Sequence, residues 1–380
     1  MAYDLLVKNG TVVDGSGSPG YRADVGIIGG KIAAIGRINQ GAKQTIDAEG
    51  HIVSPGFVDG HTHMDAQIFW DPIGSCSCYH GVTSVVMGNC GFTLAPCKQE
   101  DADMVFRNLE RAEDLSRDAM LEGIDWRWET FPEFLDVIDE LPKGINYAGY
   151  IGHSALRTYV MGERGARNEA ATAQDISEMA TIVKQGIQAG ALGFSTSRTM
   201  GHKALDGEPV PGTFAAEDEL FGIGRTLGEL GQGVFELAGA GAAGDVGGDD
   251  IDSALKEIEW MERLSAEINR PVSFAMLQFD SAPNQWRELV EICHTSQKKG
   301  ADVMAQFAPR PFGILTGHQT EANQFLSRPA YLEIKDLPLA ERVERMKDPA
   351  VRARILGPER DDSAGFGSML DNPEMLKKIF

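Results

Sequence analysis

The 380-residue chain is short of cysteine, of basic charge and of long apolar runs, and each shortage excludes something. The five cysteines, Cys76, Cys78, Cys90, Cys97 and Cys293, are odd in number and follow no disulfide-framework spacing, so reduced thiols are expected. Cys76-Ser77-Cys78 is the one close pair, and two thiols alone make a weak metal clip. With 35 basic against 56 acidic residues the formal net charge is -21, and no local basic patch offsets it, which argues against nucleic acid as a partner. No apolar stretch is long enough to span a bilayer, and Met1-Ala2-Tyr3-Asp4 runs into a strand pattern instead of a basic and then apolar leader. The expectation is a cytoplasmic protein with no membrane partner.

What the chain does have is alternation. Up to residue 50, short runs at 4–8, 11–14, 23–28 and 31–35 are separated by hairpin signals such as Asn9-Gly10 and Gly29-Gly30, and they predict a small antiparallel β unit, half of a β-sandwich, over 1–50. From 51 to 380, predicted strands at 52–63, 82–90, 145–153, 191–197, 233–237, 272–278 and 302–307 alternate with amphipathic helical patterns such as 174–188, 217–230, 251–268 and 284–299. Repeated β then α implies a parallel sheet with helices outside it, and seven such strands predict an α/β fold of the (β/α)8 TIM-type barrel. The tail, with Leu337-Pro338, Asp348-Pro349, Gly357-Pro358 and Asn372-Pro373, offers no eighth strand. A barrel short of one strand exposes two edges, so the expectation is an N-terminal portion of a longer protein, lacking the eighth strand and a C-terminal β segment. Residues 101–141 form a charged insertion carrying Trp126 and Trp128, readable as surface helices with aromatic anchors or as a lid.

In such a barrel the chemistry gathers at the C-terminal ends of the strands. His61 and His63, two apart in an extended run and flanked by Asp59 and Asp65, would project from one face and could share a cation. The second strand ends at Gly88-Asn89-Cys90-Gly91, where Cys90 is either a thiolate ligand, at about 2.3 Å from a zinc, or a small buried residue. The third ends at His153, suited to a substrate carbonyl or to orienting a ligand, and equally to capping and packing. After the fourth, Arg198, His202 and Lys203 form a cationic group that suits a substrate carboxylate, with a salt-bridged loop as the alternative. Glu236 ends the fifth strand where a metal ligand or general base would sit. The sixth offers only Gln278, and the seventh leads to Arg310, a second contact for a substrate anion.

The stretch Gly56-Phe57-Val58-Asp59-Gly60-His61-Thr62-His63-Met64-Asp65, with Gly88-Asn89-Cys90-Gly91, Gly152-His153-Ser154 and Gly193-Phe194-Ser195-Thr196-Ser197, resembles the amidohydrolase superfamily. Within it the chain looks like the D-aminoacylase branch, the N-acyl-D-amino-acid deacylases. The resemblance implies a divalent metal, usually zinc, at His61, His63 and Cys90, and metal-assisted hydrolysis of the amide bond of a small N-acyl-D-amino acid. The chain departs from the family at the fifth strand, where Glu236 stands in place of a histidine ligand, and at the sixth, where Met276-Leu277-Gln278 stands in place of another. The family's eighth-strand aspartate has no counterpart here. Zinc accepts carboxylate oxygen, which makes Glu236 the candidate replacement. Two other readings stand beside this one. A cyclic amidase of the hydantoinase or dihydropyrimidinase kind would want a lysine where Ser195-Thr196-Ser197-Arg198 stands, and a degenerate barrel would bind ligand without catalysis.

Overall fold

A computed structural model of the chain describes residues 2–113, 115–204, 207–244, 250–308, 316–320, 323–361, 371 and 376–377. The chain divides into two compact units, Met1–Val58 with Cys76–Ser84, and Asp59–Ser75 with Val85–Phe380.

The first unit is built on β1 (Tyr3–Val12), β2 (Tyr21–Ile28), β3 (Lys31–Gly36), β4 (Ala42–Asp47) and β5 (Ile52–Val53), in the order β3-β2-β1-β4 with β5 also pairing β1. Its small core is Val12, Ala23 and Val25. The sheet corrects the expected antiparallel unit in two ways. It is mixed, because β4 and β5 run parallel to β1. Asn9-Gly10 makes no hairpin: Asn9 adopts φ 63° inside a continuous strand, its N–H donates to Asp24 Oδ1 at 2.9 Å, and the register with β2 shifts there. A left-handed residue opposite a buried acceptor produces a bulge as readily as a turn. Gly29-Gly30 does turn, joining β2 to β3.

The strands β6 (Phe57–Asp59), β7 (Val82–Met87) and β8 (Asn146–Gly149) form a three-stranded sheet in the order β6-β7-β8. The strands β9 (Ile151–Gly152), β10 (Gly193–Ser197), β11 (Val234–Ala238), β12 (Val272–Ala275) and β13 (Val303–Gln306) form a second, all-parallel sheet in the order β13-β12-β11-β10-β9. The helices Ala173–Ala189, Glu217–Leu230, Ser253–Ile268 and Gln285–Lys298 connect successive strands of it. Among the described residues the two sheets stay separate, no closed barrel forms, and no strand follows β13.

Local chemistry explains these elements. Thr130 with Glu133 and Thr172 with Asp175 each make a reciprocal capping box, satisfying donors that a helix start leaves open. Every residue of β10 is buried, as a strand covered on both faces must be. Gly193 there has φ 147°, and a Cβ would lie 2.0 Å from the Val234 carbonyl oxygen, so no larger residue fits. Phe194, Phe235 and Trp260 pack edge to face beneath the sheet, with successive ring centroids 5.2 and 6.0 Å apart. The 101–141 insertion is held by its aromatic anchors: Trp126 stacks on Trp128 at 4.4 Å, and Trp128 Nε1 donates to the Leu94 carbonyl at 2.8 Å.

Candidate metal centre

His61 and His63 lie beyond the end of β6, in a segment without regular structure, and not inside a strand as the sequence pattern suggests. The extended geometry survives because Thr62, between them, donates both its N–H (2.9 Å) and its hydroxyl (2.8 Å) to the Val86 carbonyl. The two imidazoles then sit 5.4 Å apart, centroid to centroid.

Cys90 reaches them from the turn after β7. That turn is unusual, since Gly88, Cys90 and Gly91 have φ of 75°, 56° and 80°. A Cβ on Gly88 would meet the Tyr150 carbonyl oxygen at 2.4 Å, which together with its φ demands glycine. A left-handed cysteine costs about 1 kcal/mol, and hydrogen bonds from four directions hold it. Asp65 Oδ2 accepts from Gly88 N–H (3.0 Å), Glu236 Oε2 from Cys90 N–H (2.8 Å) and Ser195 Oγ from Gly91 N–H (3.0 Å). Ser195 also donates to the Gly88 carbonyl. Asn89 Nδ2 donates to the carbonyls of Val86 (2.9 Å) and Thr62 (3.2 Å), tying the cysteine turn to the histidine segment. As a result Cys90 Sγ stands 3.1 Å from His61 Nε2, and ligand atoms of His61, His63 and Cys90 all fall within 4.8 Å of one another.

The parallel register brings up the remaining groups. Ser195 pairs with Glu236, and Glu236 with Ser273, so Ser195 and Glu236 face the same side of the sheet. Two residues further along, on that same side, Ala275 pairs with Gln306. Glu236 is fully buried; its Oε1 lies 3.7 Å from His61 Nδ1 and has no hydrogen-bond partner among the described residues. Gln306 Oε1 lies 2.9 Å from the same Nδ1. His202 closes the far side, its ring 5.2 Å from Phe92 and its Nδ1 2.9 Å from Ser197 Oγ.

Electrostatics here is dominated by burial, which penalises charge. Burial pushes Glu236 up to about 8 against the relief of the Cys90 N–H, and Asp65 up to about 7 against that of the Gly88 N–H. Burial also lowers His61, partly offset by Gln306 and Asp59, and takes His63 well below its usual value with help from His61 and His202. His202 falls to about 4 by burial and the proximity of His61. Neutral imidazoles are the form that binds a cation. Two imidazole nitrogens and a sulfur, beside a buried carboxyl oxygen left without a hydrogen bond among the described residues, are a donor set that suits a divalent metal.

A sequence profile of the amidohydrolase family matches residues 44–366. The chain belongs to the amidohydrolase family. Its similarity lies with the D-aminoacylase branch. The D-aminoacylase of Alcaligenes xylosoxydans xylosoxydans is 33% identical over 283 residues, 74% of this chain and 52% of that protein. The N-acyl-D-glutamate deacylase of the same organism is 33% identical over 229 residues, 60% of this chain and 42% of that protein. A solved D-aminoacylase, studied for its binuclear metal centre, superposes with a TM-score of 0.64 at 29% identity, covering 81% of this chain and 59% of that one. The fold class is accordingly α/β and TIM-barrel-like. The chain spans about half the length of the curated relatives it matches.

For this amidohydrolase the structure brings together His61, His63, Cys90 and Glu236, with His202 adjoining, and it favours the alternative reading of other candidates. His153 has no nitrogen left for a substrate: it is fully buried, with Nδ1 2.8 Å from Thr196 Oγ1 and Nε2 2.9 Å from Glu219 Oε1. Arg198 is not a substrate clamp, because its Nε and Nη2 grip Glu257 (2.7 and 3.2 Å), its Nη1 donates to the Ala215 carbonyl (2.6 Å), and its guanidinium lies 5.8 Å from the Trp260 ring centroid. His202 is a neutral ring and adds no positive charge to the loop. Lys203 lies on that loop in an antiparallel bridge with Pro209, and Arg310 falls outside the described residues. Sequence reasoning passed over Gln306, Ser195 and Glu219. Gln306 carried a usable signal, being a polar residue at the C-terminal end of the seventh strand; Glu219, inside a helix among other acids, carried none.

Proposed function

We propose that the chain carries the metal centre of a zinc-dependent hydrolase that cleaves the amide bond of N-acyl-D-amino acids. The observation that carries this reading is the convergence of His61 and His63, just beyond β6, and Cys90, just beyond β7, beside the buried carboxyl of Glu236 in β11, in a chain of the D-aminoacylase branch. His61, His63 and Cys90 would hold the metal, with Glu236 as a further oxygen ligand or as the proton carrier. A divalent cation bound there supplies Lewis acidity toward a carbonyl and toward water.

The protein's own groups do the rest. Glu236 Oε1, buried and without a hydrogen-bond partner among the described residues, would be the atom that takes a proton and returns it to a leaving nitrogen. The surrounding burial keeps bulk water from competing for that proton. His202 offers a neutral hydrogen-bonding ring at the rim, while Lys203 and Arg310 are the candidate cations for the substrate carboxylate. The wider frame of this proposal is the larger part of a (β/α)8 barrel over 51–380, with a small β unit over 1–50, supported by the parallel sheet and by the D-aminoacylase likeness. A cytoplasmic setting fits the five cysteines, none of which is in a disulfide.

The test is metal analysis of the purified protein together with turnover of a panel of N-acetyl-D-amino acids, with His61→Ala as control. Stoichiometric zinc and turnover that both vanish in the variant are expected. Ligand binding with neither metal nor turnover would leave the degenerate barrel as the correct reading.

A further inference from the structure

We infer that Gln306 sets the tautomer of His61 and so aims the lone pair of its Nε2 at the metal position. The inference rests on the metal reading above, but its geometry is independent of it. A neutral imidazole carries one proton, and the nitrogen that keeps it is chosen by the hydrogen bond available to each. Around His61, Nδ1 faces two oxygens, Gln306 Oε1 at 2.9 Å and Glu236 Oε1 at 3.7 Å. Nε2 faces the sulfur of Cys90 at 3.1 Å. The Gln306 oxygen, which lies within hydrogen-bond distance, retains the proton on Nδ1, and this leaves Nε2 as a bare donor of electrons.

Gln306 reaches this position for a topological reason. It ends β13, the edge strand of the parallel sheet, on the same side as Glu236, and it contacts a residue 245 positions earlier in the chain. The bond therefore joins the last described strand to the histidine segment across the candidate site. A glutamine suits the task because its amide oxygen accepts without adding charge, whereas a carboxylate would also pull His61 toward the protonated form that cannot bind a cation. Outer partners of this kind fix ring orientation in metal sites and typically contribute 10- to 100-fold in metal affinity. Gln306 is thus a positioning residue, acting through His61.

The experiment is nitrogen-15 NMR of histidine-labelled, metal-free protein, above the histidine titration range, assigned with a His61→Asn variant. The wild type should show His61 protonated at Nδ1. Gln306→Leu, of similar size but with no acceptor, should move the proton wholly or partly to Nε2 and weaken zinc binding by about 10- to 100-fold in chelator competition. Gln306→Glu, which can only accept, should keep the Nδ1 proton. Since Gln306 sits partly exposed at a strand end, both variants should fold, and their circular dichroism would verify it. Protonation of His61 at Nε2 in the wild type overturns the inference, as does an unchanged tautomer in Gln306→Leu, which would give the role to Glu236. Absence of zinc binding in every form, with the tautomer shift intact, would sink the metal reading and leave the tautomer assignment standing.

Discussion

Deleting one buried hydroxyl should show how the strained cysteine turn is maintained. Ser195 Oγ accepts from Gly91 N–H at 3.0 Å and donates to the Gly88 carbonyl, so a single atom pins both sides of Cys90. Ser195 is fully buried, and alanine would leave a buried donor and a buried acceptor with nothing to replace it. A buried polar group stripped of its partner costs about 1–3 kcal/mol. Two such groups give about 2–6 kcal/mol, and relaxation of Cys90 from φ 56° returns about 1 kcal/mol of backbone strain. The net expectation for Ser195→Ala is about 1–5 kcal/mol lost. The assay is guanidinium unfolding of the metal-free protein, combined with hydrogen exchange of a peptide spanning Cys90 and Gly91. Exchange there should accelerate by about 5-fold or more, since each 1.4 kcal/mol corresponds to tenfold. A loss under about 0.5 kcal/mol with unchanged exchange would refute the argument, because it would mean that the turn holds its shape without the serine.

Two further outcomes follow from the buried charges. Burial pushes Glu219 up, but the bonds from His153 and Arg157 outweigh it and hold the carboxyl at about 2, against 4.5 for a free one. A depressed folded value means that its stabilisation is present above pH 4.5 and disappears as pH falls toward 2; the gap is worth about 3 kcal/mol at 1.36 per unit, and Glu219→Gln should flatten unfolding free energy against pH across that window. A wild-type slope that persists there in the variant would remove Glu219 as its source. Arg198→Met should cost about 3–5 kcal/mol of stability by stranding the buried Glu257 carboxylate, and Arg198→Met with Glu257→Leu should recover much of it. A variant of normal stability with a raised KM would instead return Arg198 to the substrate.

Much of this architecture was legible in residue order. The helical patterns at 174–188, 217–230, 251–268 and 284–299 appear as Ala173–Ala189, Glu217–Leu230, Ser253–Ile268 and Gln285–Lys298. Amphipathic period and capping residues act over a few neighbours, so they are written locally. The spacing of His61 and His63 was informative for the same reason: an extended backbone sets two imidazoles side by side whether or not the strand formally continues, and here Thr62 keeps it extended. Asn9-Gly10 misled because a left-handed residue admits a bulge as well as a hairpin, and only the acceptor on Asp24 decides between them.

The partners of polar side chains lay beyond that reach. Arg198 has the same appearance in sequence whether it waits for a carboxylate or already holds Glu257, 59 residues away. His153 ends a strand as a catalytic group would, yet Thr196 and Glu219 occupy both its nitrogens. Residue order alone carries the β/α rhythm, the histidine pair and the glycine-bracketed cysteine. Which polar groups are already engaged is settled by the folded chain. That choice depends on strand register and burial, and those bring Glu236 and Gln306 to His61 from far along the chain, Gln306 from 245 residues away.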